Sequence, residues 1–145
     1  MRKLSSTRLF PIDPCNLKHI ELLDEFEKEN NYGTPIGKFK NKQESSNDIY
    51  MELVLEEKSK VQDICHIEGY KDVKSCTISF LPKKKKKRKI VSMATDYALS
   101  TLGMESVFLK INPEDTNLLE YMNTNEFECL GDEKGSIIYL KEKQY

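Results

Sequence analysis

The chain has 145 residues, 38% hydrophobic and 32% charged, and a net charge of −1. That length suits a single domain, 1–145, with a substantial core, and the composition is too apolar for a disordered polyelectrolyte. No apolar stretch approaches the roughly 20 residues that a membrane-spanning helix needs, and the opening MRKLSSTRLFPID lacks the apolar centre of a secretory signal.

The small net charge hides an asymmetry. Residues 83–89 are seven consecutive cations, and the rest of the chain carries −8. An acidic body with one basic spot weighs against general nucleic-acid binding and favours a local anion site. Cys15, Cys65, Cys76 and Cys129 show no CxxC spacing, and His19 and His66 are far apart in sequence. A zinc site would need chance convergence of these residues in space. Reduced thiols in a cytoplasmic protein are the plain reading.

In chain order, Arg8–Ile12 reads as a short strand. Asp13 or Asn16 caps a helix over about 15–30, with Leu17, Ile20, Leu23 and Phe26 recurring at near-helical spacing and Leu22 widening the stripe. NNYGTPIG ends it, and residues 37–48 read as a weak second helix or a loop. Three strands follow: 48–56, 61–68 and 75–82. The first alternates Tyr50, Glu52 and Val54 against Met51, Leu53 and Leu55. The second sets Val61, Cys65 and Ile67 against Ile64. Short turns at Lys58-Ser59 and 69–74 make an antiparallel meander, which Pro82 closes.

After the cations, Ile90, Val91, Ala94, Tyr97, Ala98 and Leu102 mark one face of a helix, with Gly103 where a C-cap belongs. Residues 105–111 form a strand. Residues 115–124 form a short helix with Leu118, Leu119 and Met122 inward. Phe127–Leu130 and Ser136–Lys141 are final strands joined by GDEKG. The fold class is α/β (α+β): a mainly antiparallel sheet crossed by one β-α-β unit, with flanking helices.

The cations thus sit between a strand and a helix. There the backbone N–H groups and the positive end of a helix macrodipole favour phosphate. As a bare motif, the run also reads as a solvated loop or, in the form PKKKKKRK, a nuclear import signal.

Element order and several motif positions resemble the Gcn5-related N-acetyltransferases. FLP, 80–82, matches the end of the family's central strand. Lys86-Lys87-Arg88-Lys89-Ile90-Val91 lies over its pyrophosphate loop, and SMATDYALSTLG and ESVFLKIN follow in the family's order. NPEDTNLLEYMNTNEFECLG resembles its closing stretch, with Phe127 as the aromatic. The resemblance covers about 48–141. It implies transfer of acetyl from acetyl-CoA to an amine, on a small molecule or a peptide, and a possible homodimer.

The family's cofactor contacts carry over to Phe80, Leu81, Lys86, Lys87, Arg88, Lys89, Ile90, Val91 and Asn112. Its pantetheine arm enters where two central strands splay, here toward Val107–Leu109. Tyr121 lies next to the position of the family's tyrosine acid, which Met122 occupies. Glu68, His66 and Glu52 are candidates to deprotonate the amine, Glu68 foremost. The loop has no glycine, with Lys87 and Lys89 where small residues usually stand, and Glu126 replaces the glycine before the aromatic. A scaffold of this kind that has lost catalysis is the alternative. Glu21, Asp24, Glu25, Glu27 and Glu29 give the first helix a negative cast, suited to a cationic acceptor or simply to solvent.

Overall fold

The computed structural model describes residues 7–13, 15–30, 48–80 and 88–144. The weak second helix or loop expected at 37–48 lies almost wholly outside them, as do Leu81 and the lysines through Lys87. Seven strands form one sheet in the order β1-β2-β3-β4-β5-β7-β6. They are β1 Arg8–Pro11, β2 Asp48–Glu57, β3 Lys60–Tyr70, β4 Ser75–Phe80, β5 Ser106–Ile111, β6 Glu128–Glu133 and β7 Ser136–Glu142. Among the described residues only β4 and β5 are parallel.

Among the described residues three helices cover the faces: α1 Leu17–Asn30, α2 Arg88–Asp96 and α3 Thr116–Thr124. A π-helical turn, Tyr97–Thr101, extends α2. Gly103 then takes φ +70° and ends the helix, a left-handed conformation that glycine adopts without a Cβ clash. Asn16 is the cap of α1, because its Oδ1 accepts from Lys18 N at 3.0 Å and His19 N at 3.3 Å. Asp115 does the same for α3, accepting from Leu118 N at 3.1 Å.

The sheet separates two cores. Leu53, Cys65, Ile67, Ile78, Val107 and Leu109 pack under Ile90, Val91, Ala94 and Ala98 of the α2 segment and Leu118 and Met122 of α3. On the opposite face, Val54 and Ile64 pack under Leu23 and Phe26 of α1. Burying each such side chain stabilises the fold by about 1.5–3 kcal/mol.

Three expectations change. Val61 does not share a face with Cys65 and Ile67; it packs with Ile64 under α1. The cause is a bulge: Leu55 pairs with Asp63 and Glu56 with Val61, so Gln62 is skipped and the alternation inverts. Leu17 is 69% exposed in the first turn of α1, and the buried stripe is carried by Leu23 and Phe26. The last hairpin is also longer than GDEKG suggested. Its strands pair through Glu133–Ser136, and Lys134 and Gly135, both at positive φ, make the turn.

Candidate active site

The parallel pair β4–β5 and the helix between them define one candidate centre. Helix geometry leaves the N–H groups at the start of α2 without helical partners, and among the described residues they belong to Arg88, Lys89 and Ile90. The Ile90 and Val91 side chains are buried in the core, so Ile90 offers backbone alone. The first turn of α2 contains no acidic residue. Arg88 is exposed and its guanidinium lies 5.7 Å from the centre of the Tyr121 ring. Lys89 pairs with Glu57 at the end of β2, and this hydrogen bond holds Glu57 below the usual carboxylate range.

Tyr121 therefore comes from α3 to the beginning of α2, half-buried, with its ring 6.4 Å from that of Phe127. Asn112 follows β5, where its Oδ1 accepts from Glu114 N at 3.0 Å. This side chain shapes the turn into α3.

The expected splay toward Val107–Leu109 is corrected. The β4–β5 ladder runs without a break from Ser75–Ser106 to Ser79–Lys110, so Val107, Phe108 and Leu109 are paired with Cys76, Thr77 and Ile78. Cys76, Ile78, Val107 and Leu109 all belong to the α2 core, and separating the strands there would expose it. Only Phe80 and Ile111 lie beyond the ladder; Phe80 pairs with Cys65, and Ile111 with Ile137.

The other face of the same strands carries a polar array. Register sets Glu52, His66, Ser79 and Lys110 in one row across β2, β3, β4 and β5, with Tyr50, Glu68, Thr77 and Phe108 in the next. Tyr50, Glu68, Thr77, Ser79, Phe108 and Lys110 help to line a cavity of about 460 Å³.

Glu52 is 4% exposed and its Oε1 is 3.0 Å from His66 Nδ1. Glu68 Oε2 is 3.7 Å from His66 Nε2, with a side chain 61% exposed. The Tyr50 ring meets the imidazole edge-on, centroids 4.4 Å apart. Burial disfavours the His66 imidazolium, but the Glu52 hydrogen bond and the Glu52 and Glu68 charges outweigh it and raise the pKa. Burial, followed by the same two charges, also raises Tyr50.

Glu68 and Tyr121 are not on the same side of the sheet. Glu68 belongs to the cavity face, whereas Tyr121 packs against the α2–α3 core. Sequence reading found His66 and Glu52 as separate candidates and missed their pairing. The signal was present as two polar residues at inward positions of adjacent strands, but it needed the register to be read.

Among the described residues no cluster of His, Cys, Asp or Glu is placed to hold a metal ion. None of the four cysteines forms a disulfide; Cys15 and Cys129 are exposed and Cys65 and Cys76 buried. Burial pushes the Cys76 thiol up to about 12. A chromogenic disulfide reagent at pH 8 should therefore modify two thiols rapidly in the native protein and four in denaturant; four fast reactions without denaturant would contradict the burial.

No protein-family model matches the sequence, and no curated protein matches it. Solved structures do. The N-acetyltransferase PseH of Campylobacter jejuni, in complex with acetyl coenzyme A, superposes at TM-score 0.68 and 14% identity, covering 95% of this chain and 99% of that one. FdhC, a nucleotide-linked sugar GNAT, aligns at TM-score 0.62 and 16% identity over 95% and 88%. The spermidine N-acetyltransferase of Vibrio cholerae, in complex with CoA and spermine, aligns at 0.61 and 14% over 93% of each chain. The expected mixed, mainly antiparallel sheet with a central β-α-β unit is borne out: the chain has the fold of the Gcn5-related N-acetyltransferases.

Proposed function

We propose that this protein transfers acetyl from acetyl-CoA to an amine. The observation that carries the proposal is the meeting of exposed Arg88, in the acid-free first turn of α2, with Tyr121 of α3, on the helix that links the two parallel strands. These groups fit an anionic diphosphate: amides and a helix dipole meet its charge without needing glycine, and Arg88 adds a cation. Leu81, Lys86 and Lys87, outside the described residues, belong to the same proposed loop, and Lys89 joins through its amide, since its ammonium faces Glu57. Phe80 offers backbone just past the ladder, and Asn112 borders the end of β5.

Bound acetyl-CoA supplies an activated thioester, so the chain's task is mainly alignment, which can account for much of the rate. Tyr121 Oη holds the proton that a departing thiolate needs. Glu68, on the cavity side, faces the entering amine, which is a small molecule or a peptide N-terminus. The neighbours crystallised with acetyl coenzyme A or CoA support this reading of the fold. Four cysteines without a disulfide support a reducing compartment, the cytoplasm. No helix among the described residues is long and apolar enough to cross a membrane.

Calorimetric titration with acetyl-CoA, followed by thiol release with polyamines, aminoglycosides and peptides, tests the proposal. We expect saturable binding that weakens with salt and release above background with at least one amine. Folded protein that stays silent at millimolar acetyl-CoA and low salt refutes it. Binding without turnover by any amine identifies a scaffold that has lost catalysis. Light scattering on the same sample reports whether it is the dimer that the resemblance implies.

A further inference from the structure

We propose that His66, oriented by the buried Glu52 carboxylate, is the proton acceptor for an ammonium substrate entering the cavity on the α1 side of β3–β5. This assignment rests on the transferase reading above. It begins with position. His66 is the register partner of Ser79, and Ser79 and Lys110 are the last paired residues of the β4–β5 ladder. The imidazole thus stands one strand away from the place where the central pair ends, which is where the thioester must be presented. Glu68 and Ser79, its neighbours along and across the sheet, both line the cavity.

The ring's chemistry follows from its partners. An ionised carboxylate only accepts hydrogen bonds, so neutral His66 donates Nδ1–H to Glu52 Oε1 at 3.0 Å and leaves its lone pair on Nε2. Glu68 Oε2, at 3.7 Å, is too far to occupy that lone pair but close enough to attract a cation. The ring is half-buried, with 22% of the side chain exposed, and Tyr50, Glu68 and Ser79 beside it line the cavity. The groups that set its charge are Glu52 and Tyr50 on β2 and Glu68 on its own strand, with Lys110 at the far end of the row. Two carboxylates beside one imidazole make it a better base near neutral pH.

The step balances as follows. The bound R–NH₃⁺ gives one proton to Nε2. The neutral nitrogen attacks the thioester carbonyl, forming C–N as C–S breaks. The departing sulfur takes its proton from Tyr121 Oη, and the second nitrogen proton passes through solvent to restore the tyrosine. The imidazolium then returns its proton to solvent past Glu68. Glu52 touches no reacting atom and is a positioning residue.

The chain has two histidines, so the C2–H signal of His66 in a ¹H NMR titration is identified by its loss in His66→Gln. With the fastest amine of the panel, wild-type kcat/KM should rise with pH through the pKa read from that signal. His66→Gln should lose that limb and about 10²–10⁴-fold in kcat, with the acetyl-CoA Kd unchanged within a factor of about two on the same thermodynamic scale. In Glu52→Gln the limb and the NMR pKa should move together to lower pH, because burial then prevails over the lost carboxylate. That coincidence decides the matter if His66→Gln does not fold.

A His66→Gln variant that keeps the limb and retains kcat within threefold overturns the assignment and leaves the transferase reading intact. A Glu52→Gln limb that stays fixed while its NMR pKa moves also overturns it. Wild-type protein that binds acetyl-CoA and acetylates no amine overturns the transferase reading and the His66 assignment with it.

Discussion

Exchanging Arg88 for glutamate should weaken acetyl-CoA binding by about ten- to a hundredfold while leaving thermal stability unchanged or slightly higher. The two effects have opposite signs for a physical reason. A cation in the first turn of a helix opposes the macrodipole, and a carboxylate there stabilises the fold by about 0.3–1 kcal/mol. If Arg88 holds a phosphate, its loss removes a charge-assisted hydrogen bond contributing about 1.5–3 kcal/mol, and the new carboxylate repels the ligand. Charge reversal is preferable to alanine because the run Lys83–Lys87 continues to attract anions at long range.

The gap between variant and wild type should shrink in 1 M salt, where the Debye length falls to about 3 Å. Calorimetry at two salt concentrations, with a melting curve for each protein, is the measurement. Equal Kd values at low salt would show that the α2 N-terminus does not hold the ligand.

The parts of this arrangement legible in the sequence were those written locally. The hydrophobic faces of α2 and α3, the caps and the meander of β2–β4 each depend on residues a few positions apart. Their side-chain periods and turn residues survive into the fold. The bulge at Gln62 was not legible, because whether one strand skips a residue depends on the strand beside it. For the same reason Val61 was assigned to the wrong face.

The candidate site divides in the same way. Lys83–Lys89 is conspicuous in the sequence, and its junction position follows from local patterns. The Glu52–His66 pair is 14 residues apart, and its meaning depends on register. The unbroken β4–β5 ladder shows the limit of carrying a pattern across: Val107 and Leu109 are too well buried to part from Cys76 and Ile78.

Glu126 illustrates a departure the fold accommodates. It takes φ +65° at the position where the resemblance called for glycine, so the backbone shape persists while a side chain bears the left-handed conformation.

The second large effect is expected at Gly69 in β3, opposite Cys76. A Cβ there would lie 2.3 Å from the Ser75 carbonyl oxygen and 2.6 Å from Cys76 Cα. Unstrained non-bonded carbon contacts are about 3.5–4.0 Å, and both obstacles are backbone atoms that cannot rotate aside. Gly69→Ala must push β3 from β4, loosening the hairpin that presents Glu68 and Thr77 to the cavity.

Overpacking of this kind costs about 3 kcal/mol, which lowers Tm by roughly 6–12 °C in a domain of this size. Gly103→Ala is the control. Its Cβ would meet nothing within 4 Å, so only the φ of +70° opposes it, at about 1–2 kcal/mol. The two variants should therefore differ in kind as well as degree. Gly69→Ala should lose turnover at temperatures where it is still folded, because its strain falls on the cavity wall, whereas Gly103→Ala should melt earlier with normal kinetics below its transition. A Gly69→Ala protein melting within about 1 °C of wild type, with unaltered kinetics, would mean that β3 and β4 do not approach as closely as the register requires.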